Sequence, residues 1–266
     1  MPRRDRNTIA MDGIVQSLGA EFDEIEIIVL ADLHIGDRQA DVRLIQSLID
    51  SVRDTPNRFC ILAGDLLQNA TIGSKSDVYT QKMSPYEQLA YAVTLLKPIA
   101  DKCLACVPGN HEERTSRSSG ISLTATICAE LGIAECYRDT SALLFVKFGK
   151  DGHGGPLCYS VYINHGRGGG RRVGGKMNAL QDYGNIIDTD IYVVGHTHLP
   201  AMFKDSAFRV APSKGQATLR ERLFVNTSSA LRYPGGYGER QGYQPNSNSY
   251  PIITLSGKEH KMSATV

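Results

Sequence analysis

The sequence lacks the features of a membrane-spanning, secreted or strongly nucleic-acid-binding protein. Its formal net charge is only +1, so overall charge provides no attraction to nucleic acid or to anionic membranes. No apolar run approaches the ~20 residues needed to cross a bilayer. No signal-peptide-like apolar segment occurs in the first residues, MPRRDRNTIAMDG, and the six cysteines lack the spacing of a small disulfide-linked domain. We therefore expect a cytoplasmic protein that does not bind membranes, with any anion preference confined to a local site.

Length and patterning favour a single domain. The 266 residues, 41% of them hydrophobic, suffice for one large core or two small ones. The chain has no internal repeat, and its two loop-like stretches, 166–176 and 232–250, do not resemble interdomain linkers. We predict one domain over residues 1–266, with residues 1–20 as an N-terminal lead-in and residues 257–266 as a C-terminal tail.

The first half of the chain alternates strands and helices. An apolar run from Glu24 predicts a buried strand that ends at Asp32, and residues 40–53 carry apolar side chains at helical intervals. A second buried strand, RFCILA, ends before Asp65. Because strand–helix–strand units of this kind are parallel and right-handed, Asp65 should lie beside Asp32. DKCLACVPGNHEE is predicted to be a third strand with its loop, and residues 118–131 a helix.

A CxxC motif occurs within the third predicted strand. Cys103 and Cys106 could indicate redox or zinc chemistry, but the sequence has no second CxxC. We interpret both as buried structural cysteines that point to opposite faces of the strand.

From about Cys136 the pattern changes to strand-like runs separated by Gly-rich turns. One helical stretch is expected near residues 176–184. His165, His196 and His198 each follow an apolar run, as the polar residues of the first half do. In α/β sheets, binding sites form beyond the carboxyl ends of the strands. Both halves thus place polar residues where a site is expected.

Five short polar stretches share this position at the end of an apolar run. They are DLH (32–34), GD (64–65), GNHEE (109–113), NHG (164–166) and GHTH (195–198). Five of the seven histidines lie within them. Asp32 and His34 are two residues apart, so on an extended strand end they project to the same side. Each stretch alone is unremarkable, but together they predict a metal site assembled from the whole chain.

The order D-x-H, GD, GNHE, H and GHxH resembles that of the calcineurin-like metallophosphoesterases. The matching motifs span residues 32–198. The resemblance implies the α/β fold of that family, a four-layered α/β/β/α sandwich with two metal ions at the strand ends. It also implies a dinuclear phosphoester hydrolase that uses a bridging hydroxide.

The resemblance further implies two overlapping sets of metal ligands. One set is Asp32, His34, Asp65 and His198; the other is Asp65, Asn110, His165 and His196. Mixed imidazole and carboxylate ligands suit Mn²⁺, Fe or Zn²⁺ better than Mg²⁺ or Ca²⁺. We expect two divalent ions, Mn²⁺ first, with Fe, Zn and Ni as alternatives. Two such ions roughly 3.5–4 Å apart activate water and hold phosphate oxygens for in-line attack.

His111 resembles the family's catalytic histidine, which faces the leaving oxygen as a general acid or positive stabiliser. The protein phosphatases of this superfamily carry GDxxDRG, whose second Asp orients that histidine. Here Gln68 stands in place of that Asp and Asn69 in place of the Arg. Another group must then support His111, with Glu112 or Glu113 as candidates. The departure counts against a Ser/Thr protein phosphatase.

Two segments are candidates for substrate contact. The loop after His165, GRGGGRRVGGK, could hold phosphate or remain solvated. Its basic residues are Arg167, Arg171, Arg172 and Lys176. The segment 232–250 carries tyrosines that could stack on bases or simply pack the loop. These are Tyr233, Tyr237, Tyr243 and Tyr250. Arg3, Arg4 and Arg6 could also contact phosphate or form a solvated tail.

Three functions remain open at the level of sequence. The favoured one is a phosphodiesterase or nuclease that acts on a nucleotide or nucleic-acid substrate, because the GRGGGRR loop suggests more than one phosphate. The alternatives are a phosphomonoesterase acting on small phosphates or phosphoproteins, and a metal-binding scaffold of low activity. The sequence leaves the oligomeric state open.

Overall fold

Two β-sheets lie at the centre of the protein. The computed structural model describes residues 10–74, 78–168, 170–245 and 247–266. The strands in these residues are β1 (Ile14–Ser17), β2 (Glu24–Leu30), β3 (Arg58–Ala63), β4 (Cys103–Val107), β5 (Ser141–Phe148), β6 (Leu157–Asn164), β7 (Ile191–Val194), β8 (Ala201–Ala211), β9 (Gln216–Asn226), β10 (Ile252–Ser256) and β11 (Met262–Thr265). The α-helices are α1 (Val42–Asp54), α2 (Pro85–Leu96), α3 (Asn110–Ser119), α4 (Leu123–Glu130), α5 (Val173–Gln181) and α6 (Tyr237–Arg240). No helix in the described ranges is long and apolar enough to cross a membrane.

The strand order explains how distant motifs meet. The five-stranded sheet has the order β11-β10-β2-β3-β4, in which β2, β3 and β4 are parallel. The six-stranded sheet has the order β1-β5-β6-β7-β9-β8, in which β6, β7 and β9 are parallel. The predicted parallel pairing of β2 with β3 is therefore confirmed. Parallel neighbours end at the same edge, so the segments that follow them converge.

Alternating burial along the strands generates the core between the sheets. On β2, Ile25, Ile27 and Val29 belong to the cluster shared by the two sheets, whereas Ile28 and Leu30 belong to the cluster under the helices. The two-residue period of a strand separates the faces in this way. All five side chains are buried, so β2 is a central strand covered on both sides.

Helices cover the outer face of each sheet. On α1, Ile45, Ile49 and Val52 are buried at helical spacing against the five-stranded sheet. Leu180 of α5 packs with Tyr192 and other residues on the outer face of the six-stranded sheet. The layers are therefore helix, sheet, sheet and helix, which confirms the α/β/β/α sandwich.

The ends of the chain contribute more structure than the sequence indicated. β1 lies in the predicted lead-in and pairs in parallel with β5, and β11 lies in the predicted tail and pairs antiparallel with β10. Each strand has only four residues, which is too short for an alternating pattern to stand out. Arg3, Arg4 and Arg6 lie outside the described residues.

Helix boundaries differ from prediction around the GNHEE motif. The motif is not a loop, because α3 begins at Asn110. Gly120 then adopts a left-handed conformation, with φ of 74°, and ends α3. The predicted helix over 118–131 is consequently divided, and α4 starts only at Leu123.

The CxxC cysteines are buried and reduced, but one aspect of their prediction was wrong. Cys103 and Cys106 both pack on the helix-covered side of the sheet rather than on opposite faces. The cause is a register shift against β3, where Cys60 pairs with Cys103 and the next residue, Ile61, pairs with Ala105. The irregularity adds one residue on β4, so the side chains after it change faces and Cys106 comes to lie on the same side as Cys103.

Candidate metal centre

The predicted metal ligands come together at one edge of the sandwich. They are Asp32, His34, Asp65, Asn110, His165, His196 and His198. The first four follow the carboxyl ends of β2, β3 and β4, and the last three follow β6 and β7. Both sheets therefore contribute, and the site lies where their parallel strands end.

One group of side chains surrounds Asp32. Its Oδ1 lies 3.1 Å from His198 Nε2 and 3.9 Å from His34 Nε2, and the two Nε2 atoms are 3.3 Å apart. The three ligand atoms thus fall within 4.8 Å of one another, close enough to share one metal ion. Asp32 is fully buried, so its charge is shielded from solvent.

A second group surrounds Asp65. His165 Nε2 lies 3.2 Å from Asp65 Oδ2, and the ligand atoms of Asp65, His165 and His196 also fall within 4.8 Å of one another. A third group with the same spacing joins Asp65 to His34 and His111. Asp65 and His34 therefore each belong to two of the three groups, and Asp65 is the carboxylate that two groups share.

Hydrogen bonds determine which ring nitrogen of each histidine faces the centre. His165 Nδ1 donates to the carbonyl oxygen of Ala63 at 2.8 Å, and His34 Nδ1 lies 3.1 Å from Gln68 Oε1. Since a carbonyl oxygen can only accept, Nδ1 carries the proton in the neutral ring and Nε2 presents its lone pair. Such outer contacts orient histidine ligands in metal sites.

Backbone amides hold the two carboxylates. The N–H of His196 donates to Asp32 Oδ2, and the N–H of His111 donates to Asp65 Oδ1, both at 2.8 Å. In each case the other oxygen faces the imidazoles. The chain therefore positions one oxygen of each carboxylate for a further ligand.

Unpaired buried atoms show that this donor set fits a cation. Within the described residues, Asp32 Oδ1, Asn110 Oδ1 and His165 Nε2 are buried without a hydrogen bond of good geometry. An unpaired buried polar atom costs roughly 1–3 kcal/mol. Burial lowers the pKa of His165, but Asp65 outweighs it and raises that pKa to about 10. Asp65 thus favours a positive charge at His165, and the carboxylates and imidazoles of the centre are ligands of divalent metals.

The backbone at the centre is strained. Asp32, His34, Asp65, His196 and His198 have φ angles of 53°, 47°, 50°, 66° and 55°, in the left-handed region that side chains other than glycine seldom adopt. Each such conformation costs of order 1–3 kcal/mol and persists only where surrounding structure enforces it. Strain of this kind clusters at functional sites, and here it falls on five predicted ligands.

Glu112 supports the centre without facing it. Its buried carboxylate accepts from the backbone N–H groups of Asp65, Leu67 and Gly109 at 3.0, 2.8 and 2.8 Å. It therefore ties the start of α3 to the turn after β3. A Cβ on Gly109 would collide with the Asp65 carboxylate, which explains glycine at this point of the motif.

Neither glutamate considered from sequence orients His111. Glu112 is occupied by backbone amides, and Glu113 pairs with Arg117 at 2.5 Å. His111 Nδ1 instead donates to the backbone carbonyl oxygen of Gln68 at 2.7 Å. The backbone thus replaces the carboxylate that the sequence lacks at this position.

Two further residues lie next to His111: Arg114, which sequence reasoning missed, and Asn69, which it noted only as a departure from the family motif. Arg114 Nη1 donates to the carbonyl oxygens of Gln68 and Asn69 at 3.2 and 3.4 Å. Asn69 is fully buried, and its Nδ2 donates to the carbonyl oxygen of His111 at 2.6 Å. Arg114 lies three residues after His111, on the same side of a helix. That spacing is informative only once GNHEE is recognised as the start of a helix.

The predicted phosphate-binding residues do not form one cluster. Arg167, Arg171 and Arg172 are exposed, whereas Lys176 is half-buried. Lys176 Nζ donates to the carbonyl oxygen of Thr197 at 2.9 Å, between two of the ligand histidines. Arg171 and Lys176 line a common cavity, and the other two arginines do not line it.

The tyrosines of segment 232–250 have different roles. Tyr250 is buried and its hydroxyl donates to the carbonyl oxygen of Ala31 at 3.0 Å, so it packs the segment onto β2. The hydroxyl of Tyr233 donates to the carbonyl oxygen of Tyr243 at 2.6 Å and fixes the segment internally. Tyr243 itself lies beside Arg171, whose guanidinium carbon is 5.6 Å from the ring centroid.

Comparison with known proteins agrees with this geometry. The family model for calcineurin-like phosphoesterases matches residues 25–200, which is more than half of the chain. The chain therefore belongs to the calcineurin-like phosphoesterase family. The family and the clustered Asp and His side chains define a metal-dependent hydrolase of phosphoesters. No curated protein matches the sequence.

Several solved structures resemble the chain at low identity. Vacuolar protein sorting 29 from Cryptosporidium parvum is 14% identical with a TM-score of 0.43, and the match covers 91% of this chain and 96% of that one. A metallophosphoesterase from Sphaerobacter thermophilus is 14% identical with a TM-score of 0.40, covering 87% and 84%. A Streptococcus pneumoniae protein described as a predicted phosphoesterase is 13% identical with a TM-score of 0.39, covering 91% and 88%.

Proposed function

We propose that the protein is a phosphodiesterase or nuclease that acts on nucleotide or nucleic-acid substrates through two divalent metal ions. The observation that carries the proposal is the meeting of two carboxylate–imidazole groups around Asp65, with buried ligand atoms left unpaired. The proposed ligands of one ion are Asp32, His34, Asp65 and His198, and those of the other are Asp65, Asn110, His165 and His196. Asp65 is the shared ligand.

The mixed donor set favours Mn²⁺, with Fe, Zn²⁺ or Ni²⁺ as alternatives. When bound, the two ions would supply Lewis-acid chemistry by activating a water molecule and neutralising phosphate charge. The chain's own contribution is to fix the ligands before binding. His196 and His111 donate their backbone N–H groups to Asp32 and Asp65, so neither carboxylate has to be reoriented.

His111 is the proposed general acid. Its Nδ1–H is held by the Gln68 carbonyl, and the half-buried ring places Nε2 3.7 Å from Asp65 Oδ2. When protonated, Nε2 can donate to the leaving oxygen of a substrate bound there. Arg114, on the next turn of α3, adds a positive charge on the same side of the helix.

Two features support a diester over a monoester. Arg171 and Lys176 place positive charge beyond the ligand loop, where a second substituent of the phosphate would extend. The GDxxDRG motif of the protein phosphatases is absent, because Gln68 and Asn69 occupy its last polar positions. The Arg171 and Lys176 cations thus favour an extended phosphodiester over a small monoester, and the missing motif counts against a protein-phosphatase substrate.

The test compares hydrolysis of bis-p-nitrophenyl phosphate with that of p-nitrophenyl phosphate in added Mn²⁺. We expect a preference for the diester, and a roughly 10²–10⁴-fold fall in kcat for His111→Ala. His153→Ala is the matched control, because His153 lies in an exposed turn and should leave activity unchanged. A clear monoester preference would replace the diesterase with a phosphomonoesterase. Bound metal without turnover of either ester would instead favour the scaffold.

A further inference from the structure

A cavity of about 230 Å³ lies next to the candidate metal centre. It opens between the start of α5 and residues 243–245 and 247. Leu199 forms part of its wall and directly follows His198, and Lys176 reaches the Thr197 carbonyl from the same cavity. The cavity and the centre thus share the 195–200 loop, so a molecule bound at the centre can extend into the cavity.

One side of the cavity presents an aromatic ring that is held in place. The ring of Tyr243 is half-buried, and the carbonyl of this residue accepts the Tyr233 hydroxyl at 2.6 Å. The ring of Tyr237 packs against it, with centroids 6.3 Å apart. Little ordering of Tyr243 is therefore needed when a ligand binds, which favours affinity.

The charged groups of the cavity are cationic. Arg171 lies over the Tyr243 ring at 5.6 Å, and Lys176 is half-buried against Thr197. Among the residues that the structure describes, no carboxylate forms an ion pair with either cation. Burial lowers the pKa of Lys176 because it disfavours the charged ammonium group. An anion in the cavity would offset that penalty. Arg171 is exposed and can leave the tyrosine without losing buried contacts.

The remaining wall is suited to a flat ring with polar edges. Leu199 and Pro200 are apolar, whereas Gln244 offers an amide and Ser247 offers a hydroxyl that also hydrogen-bonds Ser249. The volume is below the roughly 300–1,000 Å³ of pockets for drug-sized ligands, so it fits one ring system rather than a whole oligonucleotide. An aromatic face, hydrogen-bonding groups and nearby cations together match a nucleotide.

We infer that this cavity binds the nucleobase of a nucleotide ester whose phosphate lies at the metal centre. The inference rests on the proposed function for the position of the phosphate. The base contacts the Tyr243 ring, Gln244 and Ser247 bond its polar edge, and Arg171 and Lys176 face the phosphate side. Stacking tolerates any base, so the cavity selects nucleotides as a class.

The test uses two diesters that share one leaving group. They are the p-nitrophenyl ester of thymidine 5′-monophosphate and methyl p-nitrophenyl phosphate, assayed with Mn²⁺. Wild type should prefer the nucleotide ester. Tyr243→Ala should lower the ratio of kcat/KM for the nucleotide ester to kcat/KM for the methyl ester by at least about fivefold, mainly by raising KM for the nucleotide ester. Tyr243→Phe should retain the preference, and Tyr86→Ala, which removes an exposed tyrosine of α2, should behave as wild type.

A second measurement does not depend on turnover. Saturation-transfer NMR with thymidine 5′-monophosphate in EDTA should show transfer to the base protons for wild type and Tyr243→Phe, and a loss for Tyr243→Ala. Hydrolysis of both esters without preference, together with no transfer to the base, would overturn the inference and leave the proposed function standing. Failure to hydrolyse either ester, with base transfer retained, would overturn the proposed function alone.

Discussion

The Nδ1 atom of His111 donates a 2.7 Å hydrogen bond to the backbone carbonyl oxygen of Gln68. The side chain of Gln68 points elsewhere, with its Oε1 3.1 Å from His34 Nδ1. One residue therefore orients a proposed acid through its backbone and a proposed metal ligand through its side chain. Because every residue has a carbonyl, the support of His111 does not depend on the side chain at position 68.

Replacing Gln68 with alanine should separate these two contacts. Gln68→Ala removes the partner of His34 and keeps the carbonyl under His111. Loss of such an outer contact typically weakens metal binding 10–100-fold. Titration calorimetry with Mn²⁺ should show this loss, while kcat at saturating metal stays within about threefold of wild type. A fall in kcat as large as that of His111→Ala would mean that the side chain, rather than the carbonyl, supports His111.

Adjacent glutamates of α3 should differ sharply in their effect on stability. Glu112→Gln replaces one carboxylate oxygen with a donor among three backbone N–H groups, which should cost roughly 1–3 kcal/mol of unfolding free energy. Glu113→Gln disturbs only a surface pair with Arg117 and should cost less than about 1 kcal/mol. Urea unfolding followed by circular dichroism gives both values. Equal effects would contradict the assigned role of Glu112.

Metal binding should stabilise the fold through Asp65. A ligand of the native state at 100 times its Kd adds about 2.7 kcal/mol to the unfolding free energy. Differential scanning fluorimetry should therefore show a Tm that rises with Mn²⁺ and falls on addition of EDTA. Asp65→Asn should abolish the response, whereas Asp50→Asn on the surface of α1 should preserve it. A full response in Asp65→Asn would exclude Asp65 as the shared ligand.

Asp190, immediately before β7, should make stability depend on pH. Burial raises its pKa, but the nearby His260 imidazole, with Nε2 3.7 Å from Asp190 Oδ2, and hydrogen bonds from Ser160 outweigh burial and lower the pKa to about 2. Since the unfolded value is about 3.9, the charged carboxylate stabilises the fold above that pH, and this contribution is lost as pH falls toward 2. Asp190→Asn should lower the unfolding free energy by roughly 1–2 kcal/mol at neutral pH.

The difference between Asp190→Asn and wild type should shrink from about pH 5 toward pH 2, because the Asp190 carboxylate takes up a proton in the unfolded chain before it does so in the folded protein. Urea unfolding at several pH values measures it. Asp188→Asn is the control, because its carboxylate is exposed and pairs with Arg209 on the surface. A constant difference across this range would show that packing, and not charge, sets the effect at Asp190.

Much of the fold could be predicted because local patterns of apolar residues determine it. The apolar runs before Asp32 and Asp65 identify central parallel strands, and parallel strands must end at a common edge. The meeting of the ligand residues follows from that topology. Gln68 and Asn69 also signalled correctly that His111 needs a different support from the family's carboxylate.

Features that depend on distant contacts could not be predicted. Helix α3 begins at Asn110 where Glu112 bonds amides beyond β3, which no local pattern reveals. The faces of Cys103 and Cys106 depend on a register irregularity against a neighbouring strand. The cavity beside Tyr243 requires two loops far apart in sequence to meet, and each loop alone is also compatible with a solvated segment.

The metal centre joins the two sheets. His196 N–H donates to Asp32 Oδ2, and His165 Nδ1 donates to the Ala63 carbonyl, so both bonds cross from the six-stranded to the five-stranded sheet. A small slide of one sheet over the other would change the spacing of the ligands directly. Metal affinity therefore depends on the relative position of the two sheets. A cavity opened in the core between them, far from any ligand, would weaken metal binding before the protein unfolds.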